Sequence, residues 1–140
     1  MGTAESFDHT ADVGLRITAD DLDDLFRTAA EALFDYIVVN RAEVRGDEVE
    51  RVELSAESAD DLLLAWLNEL IFRCETTHRL YARFDVRVAA DGLSLAAEIA
   101  GEPIDRARHV LDHEVKAATH HGLSLVEVGS GWVAEVILDI

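Results

Sequence analysis

The sequence predicts an α+β fold, a single domain in which mixed or antiparallel sheets pack with two main helices. Apolar residues recur at helical spacing in residues 22–37 and 58–74, whereas alternating residues mark several short strands. Strands and helices do not alternate regularly along the chain, which argues against a parallel, Rossmann-type sheet. The 140 residues contain no repeat and no Pro/Gly/Ser-rich linker, so we expect one domain over residues 1–140.

The first third of the chain contains one clear strand and the first helix. Residues 13–18 alternate between apolar and polar side chains, as in a strand buried on one face. Residues 22–37 follow the spacing of an amphipathic helix, which Asp20 or Asp21 can cap. Residues 43–54 predict a hairpin.

The second helix is almost entirely apolar. It opens at Ser58 with a near capping box. From Leu62 to Cys74 the apolar surface is interrupted at three positions, Asn68, Glu69 and Arg73. Because a helix that is hydrophobic nearly all round is usually buried between layers, we expect this helix at the centre of the core.

The rest of the chain is rich in strands. Residues 84–88 and 93–99 predict a hairpin around Asp91-Gly92, and residues 101–113 look irregular. Three more short strands are expected at residues 114–120, 123–128 and 132–139.

The charge balance is the clearest signal in the composition. There are 29 acidic residues against 12 basic ones, which gives a formal net charge of −17. Like charges repel in a compact chain and salt screens that repulsion, so we expect a halophilic source. An acidic surface evolved for a basic partner is the alternative explanation. Direct nucleic-acid binding is disfavoured, because it needs a basic patch.

Cysteine usage and hydropathy indicate a cytoplasmic protein. Cys74 is the only cysteine, so it cannot form an internal disulfide, and we interpret it as core filler rather than a nucleophile. No apolar run approaches the roughly 18 residues that a membrane span needs, so we expect no membrane contact.

Functional groups concentrate in three places, the first of which is Asp8-His9-Thr10-Ala11-Asp12. Two carboxylates, an imidazole and a hydroxyl within this segment can supply ligands to a divalent cation. A solvated acidic turn explains the same pattern, and spacing alone favours that explanation.

The second place is the segment 114–121. As a strand it would project four residues from one face, Glu114, Lys116, Ala118 and His120. Lys116 is the only lysine, and its position between an acid and a histidine suits anion contact or proton transfer. A solvent-facing charged strand is the plainer alternative.

The third place is the C-terminus, where Asp139 is a carboxylate in an otherwise apolar strand, beside the terminal carboxylate of Ile140. An aspartate held by a rigid strand is a reasonable metal ligand. On the second helix, Glu69 shares a stripe with apolar residues and would need an arginine or a metal as partner at the rim of the core.

Taken together, these segments resemble the archease family. The points of likeness cover nearly the whole chain in family order: His9-Thr10-Ala11-Asp12-Val13, the Leu25-Phe26 helix, the Leu62–Arg73 helix with Glu69, Glu114-Val115-Lys116-Ala117 and Leu138-Asp139-Ile140. The resemblance implies an activator of the RtcB-type tRNA-splicing ligase, which joins RNA ends with GTP and Mn²⁺. Archeases promote guanylylation of that ligase and allow multiple turnovers, so we expect this protein not to be an enzyme.

The resemblance also assigns residues. By position, Asp12 and Asp139 correspond to the family's metal-associated acids, and the terminal carboxylate of Ile140 is a further candidate ligand for Ca²⁺, Mg²⁺ or Mn²⁺. Lys116 corresponds to the family's functional basic residue. Three other residues are candidate partner contacts: His9, Glu69 and His120. His120 departs from the family pattern, since many relatives carry a tyrosine there.

Two other functions stay open. A metal-dependent hydrolase could use the same carboxylates, although the sequence contains no clear nucleophile or water-activating motif. A chaperone-like interaction module would act on many unfolded clients, and changes at Asp12 and Asp139 would then matter little.

The net charge predicts that stability rises with KCl. Between 0.1 M and 1 M salt the Debye length falls from about 10 Å to about 3 Å, which weakens repulsion among the carboxylates. We expect the midpoint of thermal unfolding to increase over this range of KCl. An unchanged midpoint would contradict the role assigned to the charge.

Overall fold

Two helices and seven strands make up the part of the chain that the structure, a computed structural model, describes: residues 2–9 and 12–140. Of Asp8 and His9 it describes the backbone. The helices are α1 (Leu22–Ile37) and α2 (Ala59–Thr77), and a 3-10 turn spans Arg41–Glu43. The strands are β1 (Thr3–His9), β2 (Asp12–Ala19), β3 (Glu48–Ser55), β4 (Arg79–Val88), β5 (Ser94–Pro103), β6 (Ala117–Val128) and β7 (Gly131–Asp139).

The strands form two antiparallel sheets. The first sheet has the order β1-β2-β7-β6, and the second has the order β3-β5-β4. Both helices contact strands of both sheets, so the helices form a layer between them. Buried residues from the helices and both sheets join in one hydrophobic cluster. The predicted α+β fold with two main helices is confirmed.

Both helices begin where the sequence places them. The side chains of Asp21 and Ser58 cap α1 and α2, each accepting a backbone N–H three residues further on, at 2.8 and 3.3 Å. Trp66 of α2 is fully buried and donates its Nε1–H to the carbonyl of Phe26 on α1 at 3.0 Å. The expectation that α2 occupies the centre of the core is confirmed. Neither of these described helices is long and apolar enough to cross a membrane.

Strand β1 is present in the structure, although the sequence pattern does not predict it. Most of its side chains are exposed and carry no alternating pattern, so the sequence gives little sign of it. β1 pairs with β2 from Thr3↔Thr18 to His9↔Asp12, so in the segment Asp8-His9-Thr10-Ala11-Asp12 the first two residues end β1 and Asp12 begins β2. Thr10 and Ala11 of that segment lie outside the described residues. The Phe7 ring covers Gly14, where a Cβ would lie 2.1 Å from the ring.

The predicted hairpin over residues 43–54 is wrong. Residue 43 belongs to the 3-10 turn, and β3 pairs with the distant strand β5, with Val52 opposite Ala97. Residues 44–47, which the hairpin needs for its first strand and turn, belong to no strand, whereas Val52 and Ala97 are both buried in the common core. The predicted hairpin of β4 and β5 is confirmed, and both strands are longer than expected.

The two strands predicted over 114–120 and 123–128 are one strand, β6. Its pairing with β7 is interrupted between Thr119 and Ser124, where Gly122 adopts a φ of +70°. This interruption explains why the sequence pattern breaks there, because glycine tolerates a positive φ that other residues avoid.

The end of β5 is joined to the following loop through Glu102, a buried carboxylate. It accepts hydrogen bonds from the Arg45 N–H at 2.6 Å, from both terminal nitrogens of Arg108 and from His109 Nε2 at 3.0 Å. His109 Nδ1 accepts the Asp105 N–H at 2.9 Å, so the ring donates from Nε2. Chiefly the Arg108 hydrogen bonds lower the pKa of Glu102 from 4.5 to about 2 against the effect of burial.

Glu102 therefore predicts an acid-sensitive contribution to stability. Because the pKa is depressed in the folded state, the contribution is complete above pH 4.5 and is lost as the pH falls towards about 2. Replacing Glu102 by Gln should lower the free energy of unfolding at pH 7 by roughly 3 kcal/mol, since a buried ion pair loses one partner.

Urea denaturation from pH 2 to 7 tests this, with Glu98→Gln as the matched control on an exposed position of β5. The Glu102→Gln variant should lose stability less steeply than wild type between pH 4.5 and 2. Parallel pH profiles for the two proteins would refute the assignment.

Candidate functional site

The start of β2 and the end of β7 lie side by side at one end of the first sheet. Asp12 begins β2, Asp139 ends β7, and the two are direct cross-strand partners. Asp139 also pairs with Ala117 at the start of β6, and His9 at the end of β1 pairs with Asp12. We call Asp12, Asp139 and Lys116 the sheet-end site. The register pairs Asp12 with Asp139, and a backbone hydrogen bond to Asp139 brings Lys116, which precedes β6, beside them.

The two aspartates share the outer face of the sheet. Their neighbours Val13 and Leu138 are buried towards the helices, so by alternation Asp12 and Asp139 point away from the core. Asp12 is half-buried and Asp139 is exposed. Directly opposed side chains have Cβ atoms about 4.5–5.5 Å apart, at which distance like charges destabilise the pair. Two carboxylates at this spacing can share one cation.

Lys116 lies beside this pair, immediately before β6. Its backbone N–H donates to the Asp139 carbonyl at 2.8 Å, and its side chain is exposed. The expected strand face of four residues is wrong in part, because Glu114 and Lys116 precede the strand and Ala118 is buried whereas His120 is exposed. The Lys116 side chain therefore extends from the irregular segment that leads into β6.

His120 and Glu69 lie elsewhere. The His120 side chain is 75% exposed, and its Nε2 lies 3.3 Å from Asp61 Oδ1 near the start of α2. Glu69 has the arginine partner that the sequence required: it accepts from Arg73 Nε at 2.7 Å. Arg73 also donates to Glu50 of β3 at 2.9 Å, so Glu69 belongs to an ionic network directed at the second sheet.

Two predicted residues flank the sheet-end site. His9 ends β1 opposite Asp12, and its side chain lies outside the described residues, as does that of Asp8. Ile140 follows Asp139 directly and is 36% exposed. Among the described side chains, no group of three or more His, Cys, Asp or Glu residues is arranged to hold a metal ion. Two opposed carboxylates nevertheless fit the oxygen preference of Ca²⁺, Mg²⁺ and Mn²⁺.

Three other side chains with reactive groups, Cys74, His109 and His113, have contacts of their own outside the sheet-end site. Burial, with a smaller effect of Glu75, raises the pKa of Cys74 to about 11, so its thiol stays protonated near neutral pH. His109 is enclosed in the Glu102 network, and His113 stacks on Tyr36 with ring centroids 4.2 Å apart. Cys74 and His109 are therefore parts of the packing, and His113 is an exposed residue with a stacking partner.

The family model of the archease protein family matches residues 5–140 of the chain. The chain belongs to the archease family. Among its archease relatives, the Methanopyrus kandleri protein is 38% identical over 140 residues, which is 97% of this chain and 98% of the relative. The Pyrococcus abyssi archease is 34% identical over 139 residues, which is 97% of each chain.

Two solved structures share the archease fold. The solution structure of protein 1598 of Methanobacterium thermoautotrophicum has a TM-score of 0.83 and 35% identity, and covers 98% of both chains. The crystal structure of a Thermotoga maritima archease, described as a possible chaperone, has a TM-score of 0.67 and 18% identity. It covers 97% of this chain and 96% of its own, and at that identity the likeness concerns the fold alone.

Proposed function

We propose that this archease activates an RtcB-type tRNA-splicing ligase through the sheet-end site and does not itself catalyse a reaction. The observation that carries the proposal is the strand register, which places Asp12, Asp139 and Lys116 at one end of one sheet. The resemblance of the sequence to archeases, with that ligase as the implied partner, supports the choice of partner.

A divalent cation, Ca²⁺, Mg²⁺ or Mn²⁺, fits the proposed site. Asp12 and Asp139 offer carboxylate oxygens from opposed positions on rigid strands, and the Ile140 terminal carboxylate is a further candidate ligand. A bound cation would organise phosphate oxygens of the nucleotide at the ligase. The two aspartates would hold the cation and lose their mutual repulsion.

The electrostatics favour a protein partner over RNA. A chain with a net charge of −17 repels phosphates, and the sheet-end site has one lysine to attract them. An enzyme that binds RNA and a nucleotide needs a basic active site, and an acidic activator is attracted to such a surface. Lys116 would then contact an acidic or phosphate group within that surface.

A chaperone-like interaction module is the second candidate. It is favoured by one observation, the description of the Thermotoga maritima protein as a possible chaperone. Such a module would protect many unfolded clients, and its effect would not depend on Asp12 or Asp139.

The ligase proposal predicts a loss of activation when either aspartate is neutralised. We expect Asp12→Asn and Asp139→Asn each to reduce the stimulated rate of ligase guanylylation by about tenfold or more, while the protein stays folded. The measurement is transfer of labelled GMP from GTP to the purified ligase. Asp85→Asn is the matched control, since it removes the same charge from an exposed position of β4 in the other sheet.

Wild-type stimulation by either sheet-end variant would contradict the proposal. Protection of several unfolded clients by wild type and both variants alike, without ligase stimulation, would instead support the chaperone function. Circular dichroism of each variant shows whether a loss of stimulation comes from unfolding.

The proposed cation predicts specific stabilisation by divalent metal. We expect MnCl₂ or CaCl₂ to raise the unfolding midpoint of wild type beyond that seen in KCl of equal ionic strength. At a metal concentration of a hundred times Kd, the gain is about 2.7 kcal/mol. The double variant Asp12→Asn/Asp139→Asn should lose this gain, whereas equal shifts in both proteins would indicate general screening of the acidic surface.

A further inference from the structure

Asn68 forms a two-way contact between α2 and the start of β6. Its side-chain Nδ2 donates to the Ala118 carbonyl at 3.1 Å, and the Ala118 N–H donates to its Oδ1 at 2.8 Å. Asn68 interrupts the otherwise apolar helix surface that packs on β6. One amide side chain thus satisfies both backbone polar groups of Ala118, its N–H and its C=O.

The position of β6 explains why such a contact is needed. β6 is an edge strand of the first sheet, with β7 on one side and no strand on the other within the described residues. Ala118 is buried, and buried backbone N–H and C=O groups require partners. A carboxamide provides a donor and an acceptor side by side, so Asn68 takes the place of a neighbouring strand at this residue.

The contact lies two residues from Lys116. On the other side of β6, the Lys116 N–H donates to the Asp139 carbonyl at 2.8 Å, and Ala117 is the cross-strand partner of Asp139. The backbone on both sides of Ala117 is therefore held, by Asn68 from the helix layer and by Asp139 from β7. Without Asn68, the backbone at the start of β6 would have hydrogen bonds on the β7 side only.

We infer that Asn68 is a positioning residue that sets the place of Lys116 next to the two aspartates. The inference deepens the proposed function and rests on it for the role of Lys116. A lysine side chain is long and flexible, so its reach towards a partner depends on where its backbone is fixed. Asn68 thereby connects the buried helix α2 to the sheet-end site.

The test compares Asn68→Leu with Asn40→Leu. Asn40 makes a similar two-way contact, donating to the Arg108 carbonyl at 3.0 Å and accepting the Val110 N–H at 2.9 Å. Each change thus removes two hydrogen bonds to the backbone and adds an apolar side chain. If Asn68→Leu does not fold, Asn68→Asp replaces it, because Asp keeps the acceptor and loses the donor.

Amide hydrogen exchange tests the contact without the ligase. In Asn68→Leu we expect the Lys116 and Ala118 amides to exchange about tenfold faster or more, as after the loss of one net hydrogen bond. The amides of β2 and β7 beyond this end should keep their wild-type rates. Unchanged exchange at both Lys116 and Ala118 would overturn the inference.

Ligase guanylylation tests the consequence. Asn68→Leu should reduce stimulation while Asn40→Leu does not, and Asn68→Leu/Lys116→Ala should match Lys116→Ala within about twofold, since both changes remove one function. Additive losses would show that Asn68 acts independently of Lys116 and would overturn the inference. If Lys116→Ala stimulates like wild type, the proposed role of Lys116 fails, and so does the functional part of the inference. Hydrogen exchange still decides the contact itself.

Discussion

The antiparallel pairing of β2 with β7 is the constraint on which the rest of the structure depends. It joins strands from the two ends of the sequence and forms the middle of the first sheet. Its core side consists of three cross-strand pairs of buried residues, Val13↔Leu138, Leu15↔Val136 and Ile17↔Ala134. A slip of one residue would turn one strand's apolar set to solvent, so burial specifies the register strongly. The same register sets Asp12 against Asp139.

Helix α2 connects the first sheet, which carries the sheet-end site, to the rest of the core. Its apolar surface lies between the two sheets, and residues on different sides serve different neighbours. Trp66 binds the backbone of α1, Arg73 joins Glu69 to the second sheet, and Asn68 holds the edge of the first. The helix is buried on most sides because α1 and strands of both sheets pack against it. Within its apolar stretch from Leu62 to Cys74, the polar residues Asn68, Glu69 and Arg73 make hydrogen bonds or ion pairs with neighbouring groups.

Local pattern predicts the helices well and strand partners poorly. Residues 22–37 and the residues after Ser58 form helices as expected because their spacing and caps are local properties. The local pattern predicts a neighbouring partner for β3, whereas its partner β5 lies beyond α2. Resemblance to a family identifies the sheet-end residues, whereas the spacing of Asp8 to Asp12 alone favours a solvated turn. The pairing of Asp12 with Asp139 joins residues more than a hundred positions apart, which no short window of sequence contains, whereas Lys116 reaches Asp139 through the β6–β7 hairpin. Asn68 had one local signal, an amide within an apolar stretch.

The free energy of apolar burial explains why the sheet tolerates two opposed carboxylates. A favourable cross-strand pair contributes roughly 0.2–1 kcal/mol, and like charges directly opposite each other are destabilising. Burying a single large aliphatic side chain gains about 1.5–3 kcal/mol, and the β2–β7 pair buries five of them on its core side: Val13, Leu15, Ile17, Val136 and Leu138. The apolar faces therefore outweigh the repulsion, and the strands cannot slip to separate Asp12 from Asp139. Apolar burial, rather than the charges, therefore keeps Asp12 beside Asp139. The proposed function uses this fixed pair of carboxylates, in a chain with a net charge of −17, to hold a cation or to meet a basic partner surface.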